Sequence, residues 1–362
     1  PIKAIPKLQP KAPIKIGVIV SLENSAAVPG LDVLQAATLA VEKTNRSGGV
    51  KGRPVKLVIA NSGGRPEKYA NEIRRLLTEE KIVALIDGAM EQKRATADGA
   101  FFIEGIPWLV PAFTADSVLV SPQLNSSWLL AERVIPNHWA NRVLNEIKRQ
   151  GLGQKVIIFS EENGRFLPLV QALQSESNKL GLTVQSHIFS AEGSDYLNVL
   201  TSKVPKEKSA IVLLSSPRVG AAVCRSVHAE SGAKGKLFLG PDLVSPTFFA
   251  MAHRSAEGAL LCLPPYAHGN KKGEQMTFAQ GFQTMFRRFP TTTAASTYDL
   301  TVLLSMMLRR VGVDQRKLYD SLSKTGSLDG TCGPRRRVGS ALAISKLEFL
   351  TVKGNRLVPF NP

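Results

Sequence analysis

Residues that could act as nucleophile, base or metal ligand are present, but not at the spacings such chemistry requires. Asp87 with Glu91, and Glu161 with Glu162, are carboxylate pairs of the kind that divide general acid and base roles. Nothing in the sequence sets either pair on two sides of a reactive bond, and helix N-terminal or solvated charges account for them. His138, His187, His228, His253 and His268 are scattered, without metal-ligand spacing. Cys224, Cys262 and Cys332 form no C-x-x-C, which excludes a zinc ribbon and a disulfide scaffold and leaves buried free thiols or one disulfide with a spare. The nucleophile elbow, the zinc-protease helix and the phosphate-binding loop are all missing. Gly151-Leu152-Gly153 lacks the third glycine of a dinucleotide fingerprint and reads as a turn that ends a helix. The expectation is a protein that is not an enzyme and carries no cofactor or metal.

The elements around these residues alternate. Ile14–Ser21 is a β-branched apolar run, and Leu31–Asn45 has apolar residues at helical spacing. Pro54–Asn61, Ile82–Ile86 and Pro107–Val110 read as strands, Pro66–Glu80 and Glu91–Glu104 as helices between them. After the polar interval Ser121–Ser127 the rhythm restarts. Strands Val156–Ser160, Thr183–Phe189, Ile211–Ser215 and Lys236–Leu239 are separated by helices Arg165–Leu180, Tyr196–Ser202 and Val219–Glu230. Two long helical stretches follow, Gly273–Phe289 and Thr293–Val311, and Ala341–Val352 with Arg356–Val358 reads as a hairpin about Lys353-Gly354-Asn355. Repeated β-α-β predicts an α/β protein with two doubly wound parallel-sheet lobes. In such sheets ligands sit at the carboxyl ends of the strands. The segments leaving those ends, among them Asp87–Lys93, Pro111–Asp116, Ser160–Arg165, Ser215–Arg218 and Gly240–Val244, carry polar residues suited to a small polar ligand.

The chain has 362 residues, enough for two domains, and no apolar run of the roughly 20 residues that span a bilayer. Its 46 Lys plus Arg against 29 Asp plus Glu give a net charge of +17, which invites a nucleic-acid partner. The distribution argues otherwise, because no recognition motif accompanies it and no aromatics interleave with the basic runs. Lys3, Lys7, Lys11 and Lys15 lie in or beside the Pro-punctuated segment Pro1–Pro13, which reads as a tether, and Arg335, Arg336 and Arg337 form a short run near the end; in a protein-interaction module the leader and this run would be docking surfaces. No signal peptide is legible from Pro1, and a Lys/Pro leader suits a chain held beside an anionic membrane surface or lipid-anchored to it.

Six stretches in order resemble the type I periplasmic binding proteins of the branched-chain amino-acid group. They are Ile14–Val50, Gly105–Thr114 (GIPWLVPAFT), Gly193–Leu200 (GSDYLNVL), Leu239–Asp242 (LGPD), Thr297–Leu304 (TYDLTVLL) and Gly330–Gly333 (GTCG). The resemblance implies an extracytoplasmic receptor for an ABC importer, with its permease as partner and a ligand trapped between lobes by hinge closure. It divides the chain into residues 14–130 with 267–326 as lobe one, and 131–266 with 327–362 as lobe two. Carried over by position, it makes Ala112 and Thr114 ligands for a carboxylate and Asp242 a partner for an ammonium group.

Three positions depart from the family pattern. Glu91 or Gln92 stands where a serine hydroxyl is usual, Asn163 where an aromatic precedes Gly164, and Pro29 where an aromatic precedes Gly30. A carboxylate at Glu91 would repel an α-carboxylate by about a few kcal/mol at an effective dielectric near 20. With Arg218 and Arg165 close in sequence to the expected site, the reading is a small polar ligand, amino-acid-like, amide or other, and not a plain aliphatic amino acid. The other function class is a sensing or protein-interaction module of the same fold with a degenerate pocket.

Overall fold

The computed structural model describes residues 11–23, 27–89, 105–112, 129–162, 164, 166–192, 195–231, 235–264, 274–338 and 341–360. The expected helix Glu91–Glu104 and the first ten residues of the expected tether lie outside them; Lys11, Ala12 and Pro13 are exposed.

The first sheet is built from β1 (Ile14–Val20), β2 (Val55–Asn61), β3 (Ala84–Gly88), β4 (Trp108–Val110) and β5 (Leu129–Val134), followed late in the chain by β11 (Ser327–Gly330), β12 (Gly333–Val338) and β13 (Ala341–Ile344). Their order is β11-β12-β13-β5-β4-β3-β1-β2. The pairs β1–β2, β1–β3, β3–β4 and β4–β5 are parallel, whereas β11, β12 and β13 pair antiparallel. Parallel strands need helical crossovers, and α1 (Ala27–Arg46) and α2 (Pro66–Thr78) supply them. Six of the seven residues of β1 are buried, as expected of a strand covered on both faces. Val33, Ala36, Ala37, Ala40 and Val41 form the buried stripe of α1, and their small volume lets the helix sit close. At Gly30 the approach is closest, and a methyl group there would run into the carbonyl oxygen of Ser21.

The second sheet contains β6 (Lys155–Glu161), β7 (Thr183–Phe189), β8 (Ser209–Leu214), β9 (Gly235–Leu239), β10 (Leu260–Leu263), β14 (Glu348–Lys353) and β15 (Arg356–Pro359). Its order is β15-β14-β10-β9-β8-β6-β7, with β6 to β10 parallel and the last two antiparallel. Helices α3 (Pro136–Arg149), α4 (Leu167–Leu180), α5 (Tyr196–Thr201), α6 (Pro217–Ser231) and α7 (Pro246–Ala252) are interleaved with these strands. Its core joins Phe159, Leu213, Val223, Cys224, Leu239, Phe248 and Leu261. Gly354 and Asn355 both have positive φ, so β14 and β15 are joined by the two-residue turn whose twist matches a hairpin. Residues 341–352, expected as one strand, are two: β13 joins the first sheet and β14 the second, broken at Ser345–Leu347. The chain is completed by α8 (Glu274–Phe286), α9 (Thr292–Val311) and α10 (Gln315–Ser323), the last held at its start by the Asp314 side chain accepting from the Lys317 N–H.

Two compact units result. One holds Pro1–Pro111, Gln123–Ala131 and Thr297–Thr325, the other Ala112–Pro122, Glu132–Ser296 and Gly326–Pro362. Ala112 and the described part of 267–296 thus fall in the second unit, whereas the expected limits set both in lobe one.

The three cysteines are buried, and none is in a disulfide among the described residues. Burial pushes the thiols of Cys224 and Cys262 up to about 12, so neither supplies a thiolate at neutral pH. In the native protein at pH 8 none of the three should react with an aromatic disulfide reagent, and all three should react in guanidinium. Replacing Gly30 by Ala should cost about 2 kcal/mol or more in urea unfolding, because the clash is with main chain that cannot rotate away. An unchanged midpoint would show that α1 is free to shift.

Candidate functional site

In the second unit three neighbouring parallel strands end side by side, and the segments beyond them carry the polar groups. Glu161 closes β6, and its Oε2 accepts the Ser216 N–H at 2.6 Å, just ahead of α6. A carboxylate there compensates the unpaired N–H groups and the positive dipole end of that helix. Glu161 is therefore a helix-end charge, as the sequence suggested, and not half of an acid–base pair. Beyond β8, the Ser215 hydroxyl is buried and has no hydrogen-bond partner among the described residues. Arg218 stands exposed on the first turn of α6. Beyond β9, the Gly240 N–H is donated to the Leu213 carbonyl at 2.7 Å, and Pro241–Leu243 forms a single 3-10 turn carrying Asp242, which is half-buried. A side chain at Gly220 would meet both Leu243 and, at 2.6 Å, Ser215 Oγ; this glycine lets the first turn of α6 lie against the turn that bears Asp242. Of the expected site residues, Arg218 and Asp242 are thus brought to adjacent strand ends.

In the first sheet, the acid at the end of β3 has another task. Asp87 is buried, and its Oδ2 accepts from the Tyr69 hydroxyl at 2.7 Å and the Trp108 indole N–H at 2.9 Å, while Oδ1 accepts the Ala89 N–H at 3.0 Å. With neutral donors from α2, from β4 and from its own turn, it ties three segments together. Glu91, Gln92, Thr114 and Asn163 lie outside the described residues, as does Arg165.

Ala112 follows β4 and is fully buried. Its N–H is donated to Ser296 Oγ at 2.7 Å, and its carbonyl accepts from Thr293 Oγ1 at 3.3 Å. The Ser296 hydroxyl in turn donates a hydrogen bond to Glu132 Oε2 at 2.7 Å. The other oxygen of Glu132 lies 2.9 Å from Arg335 Nε, an ion contact and not an aligned hydrogen bond, between side chains that are each 0% exposed. Arg335 Nη1 also donates to the Gly333 carbonyl at 2.9 Å. This corrects the reading of Arg335–Arg337 as one surface run. Strand alternation in β12 turns Arg335 inward, while Arg336 is exposed and Arg337 half-buried. Glu132 and Ser296 were not singled out from sequence, and Arg335 only as part of that basic run. The available signal was an acid inside the apolar run LLAERV, which needs a buried cation.

Among the described residues no group of three or more His, Cys, Asp or Glu could hold a metal ion. No helix among them is long and apolar enough to cross a membrane. Doubly wound α/β sheets with polar groups gathered at their strand ends define a two-lobe α/β protein. A family model described as periplasmic binding protein matches residues 13–356, and the chain belongs to that family, whose members bind solutes and are not enzymes. A relative named Leu/Ile/Val-binding protein homolog 3, from Brucella melitensis, is 22% identical over 252 residues, 69% of this chain and 67% of its own. The substrate-binding protein LivJ of Streptococcus pneumoniae, solved with isoleucine, is similar at a TM-score of 0.78 and 18% identity, covering 95% of this chain and 97% of that one. A solute-binding protein of R. palustris, solved with benzoate, has a TM-score of 0.76 and 18% identity, covering 96% and 95%. The family is extracytoplasmic.

The Glu132–Arg335 pair has a measurable consequence. Arg335→Met should destabilise by about 3–5 kcal/mol in urea unfolding, since it strands a buried carboxylate. Glu132→Leu combined with Arg335→Met should recover most of that loss. A single variant as stable as the parent would sink the compensation argument.

Proposed function

We propose that this protein captures a small polar ligand outside the cytoplasm and delivers it to the permease of an ABC importer. We further propose that the ligand is not a plain aliphatic amino acid. The observation that carries the first statement is the family match, which runs through 13–356 and so includes both sheets and every strand end that bears polar groups. Asp242 and Arg218, on adjacent strand ends, are the second unit's charged contacts in this reading, and Asn163, which follows β6 in sequence, is a further polar one. Glu91, Gln92, Ala112 and Thr114 are the first sheet's contribution.

The second statement rests on what a carboxylate-bearing aliphatic ligand would need. Glu91 offers a negative charge in place of a hydroxyl, and Ala112 has already given its N–H to Ser296. Both leave an α-carboxylate short of donors, whereas a hydroxyl-rich, amide or cationic group can itself donate to the Glu91 carboxylate. The similar folds solved with isoleucine and with benzoate hold different ligands, so ligand choice lies in the residues at the strand ends and not in the architecture.

A thermal-shift screen over amino acids, amides, polyamines, aromatic acids and sugars tests both statements. A true ligand at roughly 100 times its Kd should add about 2.7 kcal/mol, and leucine and valine should add little. Asp242→Ala should abolish the shift produced by whichever compound scores. A large shift with leucine would overturn the second statement, and silence across the screen would favour the sensing or interaction module instead.

A further inference from the structure

The excess positive charge of the first unit is concentrated at one place. Lys11 together with residues 42–53 and 309–320 carries nine basic and three acidic side chains. The fold gathers these segments around the turn between α1 and β2. Arg309 donates to the Gly49 carbonyl at 2.9 Å and to the Thr44 carbonyl at 3.1 Å, which fastens the end of α9 to the end of α1. Arg53 donates to the Ala12 carbonyl at 2.9 Å, bringing the chain before β1 onto the same turn. Lys11 Nζ comes within 4.0 Å of the position a side chain would take on Gly52, and Lys51 Nζ within 3.9 Å of that position on Gly312.

The three acids are already occupied. Glu42 pairs with Arg46 at 2.8 Å, Asp314 with Lys317 at 3.9 Å and Asp320 with Arg316 at 3.5 Å. Lys11, Lys51 and Arg310 are exposed and have no acidic partner among the described residues. Val313, 38% exposed, adds an apolar side chain beside them. Lys3 and Lys7 precede the patch in sequence, and no acid lies between Pro1 and Pro13. The patch also sits at the amino ends of β1 and β2, which begin together at Ile14 and Val55. The polar strand ends of the same sheet are a strand length away, about 20 Å at roughly 3.3 Å per residue.

We propose that this face docks the protein on an anionic phospholipid bilayer, leaving the strand-end loops directed away from it. A bilayer fits better than a structured partner because the charge left over from the ion pairs is of one sign and Val313 is the exposed large apolar side chain among these residues. Dispersed lipid headgroups are satisfied by such a surface without shape complementarity. Nucleic acid fits less well, since neither a recognition helix nor aromatic stacking groups accompany the patch. The proposal is independent of which solute the protein binds, and the ligand screen reads that separately.

The test is co-sedimentation of the full chain with vesicles of phosphatidylcholine alone, or with about a third phosphatidylglycerol. Binding should need the anionic lipid and disappear in 0.5 M salt, where screening shortens to a few ångströms. Lys51→Glu with Arg310→Glu changes exposed side chains only; it should weaken binding at least a hundredfold, at about fivefold per unit of charge. Lys206→Glu with Lys208→Glu, exposed in the second unit, makes the same change in net charge and should cost little. Unchanged melting of both variants establishes that folding is intact. Equal losses in the two variants would overturn the proposal in favour of diffuse net charge, and absence of binding by the parent would overturn it outright. A duplex oligonucleotide bound through the same two residues more tightly than the vesicles would replace the bilayer with nucleic acid.

Discussion

Glu132 and Arg335 are both removed from water, and neither is tolerable there without the other. Desolvating one ion costs several kcal/mol, so the two strands that carry them are obliged to come together. Glu132 stands in β5, where the chain leaves the first run of parallel strands, and Arg335 in β12, some two hundred residues later. The remaining carboxylate oxygen takes the Ser296 hydroxyl from the start of α9, and through it the main chain of Ala112. One buried charge pair thereby fixes the relative position of four segments distant in sequence. That network engages both main-chain groups of Ala112, its N–H through Ser296 and its carbonyl through Thr293.

The same logic separates the two kinds of acid in the molecule. Asp87 and Glu161 are held by donors of the protein itself, an indole, a tyrosine and main-chain N–H groups, and they stabilise strand ends and a helix start. Asp242 sits on a short turn that is only half-buried, beyond the strand next to the one that leads to Arg218. Asp87 serves the fold from full burial, whereas Glu161 and Asp242 are both half-buried, the first engaged by the Ser216 N–H. Charge is distributed on the same principle. Arg335 is internal and neutralised, while the cations around Gly49–Arg53 are external and collected on one face of the first unit.

Much of the architecture was legible from periodicity. The strands Ile14–Val20, Thr183–Phe189 and Gly235–Leu239 are apolar or β-branched runs between turn residues, and α1 and α4 show the helical stripe. Local preference sufficed there because backbone pairing and burial pull the same way. It did not suffice for residues 341–352, where one apolar run is shared between two sheets, nor for the division of units around Ala112 and the segment before Ser296. Strand partners and packing partners are long-range facts, and a run of valines and leucines is equally content in either sheet.

What the sequence determined by itself is the α/β class, the family and the absence of any motif for catalysis, since these rest on local pattern and ordered stretches. The tertiary structure alone decided what individual charged and polar residues do. An arginine in a run of three, a glutamate in an apolar strand and a serine opening a helix have no meaning until the chain brings them within hydrogen-bonding distance. Burial then turns a surface charge into an internal constraint, because the cost of desolvation depends on what surrounds a residue and not on which residue it is.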